Sequence, residues 1–283
     1  MRVKSAVGSV LLSLPVGLRR RALFLYYQRR WPQFGHPQSF SDKVNWRILN
    51  DRRAILEWTC DKLAMKDYVR NTVVDLAVPQ TFWSGTDLLE LSSIDLPPRW
   101  VLKPNHRSGP VHLGVGAPDV RILRDLTATW LQPFQAIQLG EWAYSRARPL
   151  LLVEEMLLGD GDVSPPDYKF LVMGGAVAMI AVDLDRHGAH SRRFYSADWT
   201  PLEASVGNDG IAPVQSAPES LDRMLMVAKR IGSHFDCMRV DLYDVGGQVF
   251  FGEVTPYPGS GLDRYSPTSF DYELGAKWVL PNS

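Results

Sequence analysis

Apolar positions recur with two different periods along this chain, and each change of period marks an element. Val44, Trp46, Ile48 and Leu49 recur at helical spacing, and Ser41 is placed to cap that helix. Arg53 to Arg70 reads as a second helix, with Ile55, Leu56, Leu63 and Met65 buried. Ser216 to Phe235 reads as a third, with Leu221, Leu225, Ala228 and Ile231 on one face. Shorter runs of β-formers read as strands: Val78 to Trp83, Trp100 to Leu102, and Leu150 to Leu158. Asp167 to Val182 predicts a hairpin turning at Gly174-Gly175, and Phe235 to Gly259 a second turning at Gly246-Gly247. The tail is loop and a short closing helix.

The second hairpin breaks its own pattern. Met238, Val240 and Leu242 point one way, as do Phe250 and Val254, while Arg239, Asp241, Glu253 and Thr255 carry polar groups on alternate positions. Whether the two acids share a face depends on register. A two-residue Gly246-Gly247 loop with regular pairing sets Asp241 against Gly252 and turns Glu253 away. A three-residue loop, or a bulge with the same effect, pairs Asp241 with Glu253 and Arg239 with Thr255. Two carboxylates that close repel unless a cation or proton lies between them, and Mg²⁺ suits an all-oxygen donor set. The plainer alternative is a half-exposed hairpin with solvated charges.

Composition narrows the class. At 283 residues, with 45% hydrophobic and 22% charged residues, the chain has the make-up of a soluble globular protein and length enough for a full core. Net charge is zero, so no global field argues for nucleic acid. Two cysteines, Cys60 and Cys237, are too few for a disulfide framework and read as buried thiols in a reducing compartment. Local charge is less even: up to Gly35 there are Arg2, Lys4, Arg19, Arg20, Arg21, Arg29 and Arg30, and no acid. One reading is an amphipathic helix packed on the domain through Leu23, Phe24, Tyr26 and Tyr27. The other is a helix at an anionic membrane surface, or a basic groove for an anionic substrate. The apolar run before Arg19-Arg20-Arg21 is too short to span a bilayer.

Lys103 ends the Trp100–Leu102 strand, and a loop through Ser108-Gly109 follows. A strand-end lysine before a Ser-Gly loop suits phosphate, although the spacing is not that of a Walker A loop; a surface loop is the alternative. Lys62 and Lys66 share a helix face.

Taken in order, Lys62/Lys66, Val101-Leu-Lys-Pro104 with Ser108-Gly109, Val153-Glu-Glu-Met-Leu157, Arg239-Val-Asp241 and Glu253-Val-Thr-Pro-Tyr-Pro-Gly259 resemble the ordered ATP-binding motifs of the ATP-grasp superfamily. More closely, Pro37-Gln-Ser-Phe-Ser-Asp-Lys43, Asp61-Lys-Leu-Ala-Met-Lys-Asp-Tyr-Val69, Leu102-Lys-Pro-Asn105, Asp167-Tyr-Lys-Phe170 and Phe251-Gly-Glu-Val-Thr255 resemble the TupA-like ATP-grasp family, which is linked to teichuronopeptide and surface-polysaccharide synthesis. The resemblance implies an α+β fold of two subdomains clamping ATP, with a basic helical N-terminal extension. The segments would be 1–55 helical, 56–100 a small subdomain, 101–157 a lid, and 158–283 a C-terminal subdomain with the metal hairpin. The chain is expected to lack the full Rossmann-like domain that often precedes this fold, and to build its acceptor site from the N-terminal helices.

The same resemblance implies roles. Lys103 and Lys62 or Lys66 would hold phosphate under a mobile Ser108-Gly109 loop. The backbone of Glu154, Glu155 and Leu157 would meet adenine, Asp167 the ribose, and Lys169 phosphate or substrate. Asp241 and Glu253, with Thr255, would hold Mg²⁺, and Arg239 with Lys103 would balance charge during reaction. Arg186, Arg192, Arg193 and Arg264 are candidate substrate contacts. Thr255 departs from the family's usual Asn, which puts a second metal ion in question, and His106 and Arg107 replace small loop residues. The implied activity is an ATP- and Mg²⁺-dependent carboxylate–amine ligase acting on a glycan or small-molecule carboxylate and an amine donor. It would work on the cytoplasmic side, at the inner membrane face if residues 1–35 touch lipid. A kinase with a hydroxyl acceptor and a non-catalytic glycan- or membrane-binding module are the rival readings.

Overall fold

The computed structural model describes residues 12–159, 163–184, 190–207 and 210–281. Three helices open the chain: α1 (Val16–Gln28), α2 (Phe40–Asn50) and α3 (Lys62–Thr72). Ser39, not Ser41, caps α2, because its side chain accepts from the Asp42 amide at 3.1 Å. Ser41 lies inside the helix, and its hydroxyl meets Asp271 at 2.9 Å. The expected Arg53–Arg70 helix is broken. A 3-10 turn covers Ala54–Leu56, and Asp61 then caps α3 by accepting from Ala64 at 2.9 Å.

Three of the five described basic residues of the N-terminal stretch are held in the protein, whereas Arg21 and Arg29 are exposed. Arg20 is fully buried and Arg19 nearly so, and Arg30 pairs with Asp42 at 2.7 Å and Asp271 at 2.9 Å. Leu23 and Phe24 are buried as expected, whereas Tyr26 is exposed. Arg2 and Lys4 lie outside the described residues. Among the described residues no helix is long and apolar enough to cross a membrane.

Strands β1 (Thr81–Gly85), β2 (Arg99–Pro104), β3 (His112–Val115) and β4 (Leu151–Glu155) form an antiparallel sheet in the order β1-β4-β2-β3. It draws strands from both the 56–100 and the 101–157 segments. Trp83, Trp100 and Val153 pack with Leu123 of α4 (Val120–Thr127) to form its core.

A six-stranded sheet follows. It comprises β5 (Asp167–Met173), β6 (Ala176–Leu184), β7 (Ser191–Tyr195), β9 (Gly210–Ile211), β10 (Cys237–Val245) and β11 (Gln248–Thr255), in the order β11-β10-β5-β6-β7-β9. Only β7 and β9 run parallel. The short β8 (Ser205–Val206) pairs instead with β12 (Tyr265–Ser266). The expected third helix is shorter than its pattern: α5 spans Leu221–Gly232, after Pro218. α6 (Thr268–Lys277) closes the chain.

The two faces of the large sheet differ, and the difference places the site. Phe170, Val172, Ile180, Val240 and Leu242 pack under α3 and α5 in one continuous core. On the other face, Leu171, Met173, Met179, Ala181 and Cys237 pack with residues of α2 and α6. Farther along the same strands that second face becomes charged, at Asp167, Lys169, Asp183, Arg239 and Asp241. Cys60 and Cys237 are buried free thiols.

Arg47 of α2 fastens the helical extension to the hairpin. Its guanidinium donates to Cys237 O at 2.7 Å and Pro256 O at 3.1 Å, pairs with Asp236 at 2.6 Å, and lies 4.4 Å over the Trp278 ring. Removing one member of a buried pair strands the other's charge. Arg47→Ala is therefore expected to destabilise the fold by about 3–5 kcal/mol, read as a lower urea midpoint; a change under about 1 kcal/mol, the range of exposed pairs, would contradict this account.

Candidate active site

The hairpin register carries the site. β10 and β11 are joined by the two-residue turn Gly246-Gly247, both at positive φ (59° and 83°), so the three-residue loop is not the solution used. The bulge is. Val245 pairs with Gln248 and Leu242 with Phe251, then the register shifts, so that Asp241 pairs with Glu253 and Arg239 with Thr255. Gly252 is the extra residue. A Cβ there would come within 2.9 Å of Asp241 O and of the Tyr243 ring, so the bulge needs glycine.

The cation required between the two acids is Arg239. Its guanidinium donates to Asp241 through two bonds of 2.7 Å and to Glu253 at 3.0 Å. Burial opposes that charge, yet Asp241 and Glu253 beside it raise the arginine above its ordinary pKa. Lys169 lies between further acids. It is hydrogen-bonded to Asp167, 3.1 Å from Asp183 and 3.7 Å from Asp241. Burial pushes the Asp241 carboxyl up, against the pull of Arg239 and Lys169. The cluster is acid-rich and incompletely compensated. Asp241, Glu253 and Thr255 are oxygen donors, with the Thr255 hydroxyl 3.4 Å from Glu253, so the set fits a hard cation such as Mg²⁺. Among the described residues no group of three or more His, Cys, Asp or Glu side chains is arranged to hold a metal, so the remaining ligands would come from a bound anion or water.

Two cavities meet at this cluster. The first, of about 320 Å³, lies between the sheets. Val101, Lys103 and Glu154 line it from the smaller sheet, Asp167, Asp241 and Glu253 from the larger, with the Ser108-Gly109 loop and the Glu155–Leu157 connection at its edges. The second, of about 590 Å³, opens over the charged face of the large sheet and is lined by Lys169, Arg192, Arg239 and Thr255. Phe40 of α2, residues of 135–144 and the 257–260 turn close it. Ser108 and Glu253 line both cavities.

The lysines divide their work. Lys66 Nζ donates to Pro79 O at 2.9 Å, Thr81 Oγ1 at 2.9 Å and Glu154 at 2.7 Å, which uses its three N–H groups. Lys62 Nζ is 2.8 Å from Arg107 O and steadies the loop. Lys103, with 24% of its side chain exposed, faces the first cavity and pairs with the other Glu154 oxygen. The Glu154 side chain is thus occupied by two lysines. Burial disfavours its charge, but Lys103 and Lys66 outweigh burial and hold its carboxyl below the usual range. Glu155 accepts from the Gln80 amide at 3.0 Å.

Not every expected residue comes to the site. Arg192 lines the second cavity and grips Asp183 with bonds of 2.5 and 3.0 Å. Arg193, next along β7, points to the opposite face and donates to Ala212 O at 2.6 Å. Arg264 is exposed and outside both linings. Arg186 lies outside the described residues. His106 is buried against Leu131 O at 3.1 Å, and Arg107 reaches Thr129 O at 2.8 Å over the Phe134 ring. The larger loop side chains therefore anchor the loop start. Sequence reasoning missed Asp183, Glu141 and Gln135. Asp183 was detectable as an acid in an apolar strand, opposite Asp167. Glu141 and Gln135 sit in a stretch with no period, and nothing marked them.

The family model described as TupA-like ATPgrasp matches residues 42–279. No curated protein matches the chain. Among solved structures, D-alanine–D-alanine ligase from Bacillus anthracis is similar at 18% identity and a TM-score of 0.43, over 70% of this chain and 57% of that one. The ADP complex of N5-carboxyaminoimidazole ribonucleotide synthetase is similar at 13% identity and a TM-score of 0.46, over 71% and 46%. D-alanine–D-alanine ligase from Helicobacter pylori is similar at 13% identity and a TM-score of 0.45, over 79% and 62%. The chain thus spans about half to two thirds of the length of these structures.

Lys103→Met is expected to weaken binding of a non-hydrolysable ATP analogue by roughly tenfold or more, the loss of one charge-assisted contact. Calorimetry on both variants should show a smaller effect for Lys62→Met, and the reverse order would contradict the division of labour among the lysines.

Proposed function

The chain belongs to the TupA-like ATP-grasp family, and from that premise we propose that it is an ATP- and Mg²⁺-dependent ligase joining a carboxylate to an amine through an acyl phosphate. The observation that carries this reading is the meeting of two cavities at Ser108 and Glu253. Phosphoryl transfer needs donor and acceptor in line and in contact. Nucleotide would occupy the cavity between the sheets, with Lys103 at its phosphates and the Glu155–Leu157 connection at adenine. The carboxylate would occupy the larger cavity, within reach of Arg192 and Arg239.

The chemistry follows from that placement. A carboxylate oxygen forms a bond to the γ-phosphorus as the bond to ADP breaks. The amine nitrogen then bonds to the carbonyl carbon, phosphate leaves with the electron pair, and the nitrogen loses a proton. Two anions must approach in the first step, so the cations Lys103, Arg239 and Lys169 screen their repulsion. Asp241 and Glu253, with Thr255, would hold Mg²⁺, which when bound supplies further charge compensation at the phosphates. The family's link to surface-polysaccharide synthesis, and a cavity of about 590 Å³, support a sugar-linked or similarly sized carboxylate as the acceptor. The two buried free thiols support a cytoplasmic setting.

The direct test is a product assay with ATP, Mg²⁺ and a panel of hydroxy, amino and sugar acids, with hydroxylamine as a trap. ADP release that requires a carboxylate and yields a hydroxamate is the expected result, with Glu253→Ala lowering the rate by roughly 10²-fold or more. A phosphorylated hydroxyl compound formed with no need of an amine would make the protein a kinase and contradict the reading.

A further inference from the structure

We propose that Glu141 takes the proton from the attacking nitrogen in the amide-forming step, and so marks the wall of the larger cavity against which the amine binds. This rests on the ligase reading above. Glu141 lies on the segment 135–145, which closes the cavity opposite the charged face of the large sheet. Its side chain is buried, yet it lines the same cavity as Arg239 and Glu253. It therefore stands on a different wall of the cavity from the groups assigned to phosphoryl transfer.

Several elements hold this carboxylate in place. Ser260 is hydrogen-bonded to it. The Ser260 hydroxyl accepts from Arg20 Nη1 at 3.0 Å, so its own proton is directed to Glu141. The remaining donors of Arg20 go to Asn45 Oδ1 at 2.6 and 2.8 Å, to Leu139 O and to Ser260 O. Arg20 thus positions Ser260 rather than forming a direct ion pair with Glu141. Ser260 itself has φ of 56°, an unfavourable left-handed conformation for a residue with a Cβ. Asn45 steadies the turn by donating to Gly261 O at 2.9 Å. The fold spends a buried arginine, a buried asparagine and a strained turn on orienting one hydroxyl towards one carboxyl.

Among the described residues the cavity is also lined by Asp183, Glu253, Asp263 and His190. The Asp263 carboxylate packs against Gly259, and His190 lies 3.4 Å from Asp183. Asp183 is gripped by Arg192 and Lys169, which overcome its burial and hold it well below the usual carboxylate range. Asp241 and Glu253 share Arg239. Glu141 differs. Burial pushes it up to about 7, against the pull of Ser260 and Arg20. The other titratable groups around it are Cys60, Tyr144 and Tyr257, each raised by its own burial and neutral near pH 7. A carboxyl near the working pH is a competent base. The Glu141 carboxylate takes one proton from the substrate's ammonium group, which frees the nitrogen lone pair. The neutral nitrogen then bonds to the carbonyl carbon as the carbon–oxygen bond to phosphate breaks, and its second proton leaves with the phosphate.

The test compares wild type with Glu141→Gln, with ATP, Mg²⁺ and the acid panel above, using either a primary amine or hydroxylamine as nucleophile. Hydroxylamine is neutral near pH 7 and attacks without a strong base. The ratio of amide to hydroxamate is expected to fall by about 10²-fold or more in the variant. An unchanged ratio, or the loss of both products together, overturns the proposal. Wild-type protein that forms no hydroxamate with any acid is a separate result, against the ligase reading itself.

Thermal melts of the two proteins supply a readout that needs no substrate. A carboxyl raised in the folded state loses its contribution as pH climbs from the unfolded value towards about 7. The difference between wild type and Glu141→Gln should therefore move in favour of the variant across pH 4.5 to 7. A constant difference would show an ordinary ionised carboxylate there and overturn the proposal.

Discussion

Two carboxylates held against each other in a protein interior need positive charge between them, and the rest of this structure follows from how that need is met. The bulge at Gly252 brings Glu253 opposite Asp241, and the guanidinium of Arg239 fills the space between. Without the bulge, a two-residue turn would send Glu253 into the apolar core under α3 and α5, where a charge is very costly. With it, Phe251 pairs with Leu242 in that core while the acids stay on the other face. One extra residue reconciles an apolar core with a charged site on adjacent positions of the same strands.

The charged face is also where the extra helices of the chain matter. Beneath Leu171, Met173 and Cys237 the sheet is covered by α2 and α6, and beyond that apolar patch it opens into the larger cavity. Arg20, Asn45 and Arg47 come from the two N-terminal helices and reach, respectively, Ser260, Gly261 and the Cys237 and Pro256 carbonyls. Arg20, one of the basic residues that look in sequence like a surface for anions, instead helps to frame the wall of the larger cavity. Buried arginines of this kind act through geometry, and losing one leaves several acceptors unpaired.

Much of this was legible in the residues. Alternation in 237–255 gave the apolar and polar faces, and the demand that Asp241 meet Glu253 required a bulge or a longer loop. The choice between them was not legible, because it turns on the close approach of Gly252 to Asp241 O. Arg192 and Arg193 were equal candidates in the sequence, and only their places on β7 turn one to the cavity and the other away from it. Lys62, Lys66 and Lys103 looked equivalent as lysines. Only packing shows that Lys66 has used its donors on Pro79, Thr81 and Glu154. Glu141 gave no signal, because its surroundings come from Arg20, Ser260 and Tyr257, far away in sequence. Periodicity reports one element's faces and is silent on what a third element brings to them.

The central claim is that the Asp241–Arg239–Glu253 cluster is a Mg²⁺-nucleotide site, and the most direct measurement is the melting of the protein with a non-hydrolysable ATP analogue, with and without Mg²⁺, for wild type and Glu253→Ala. A ligand at a hundred times its Kd that binds only the folded state adds about 2.7 kcal/mol, a shift of several degrees for a chain of this size. The account predicts a Mg²⁺-dependent rise in wild type that Glu253→Ala abolishes. A melt that no nucleotide moves, or a rise that needs neither Mg²⁺ nor Glu253, would contradict it.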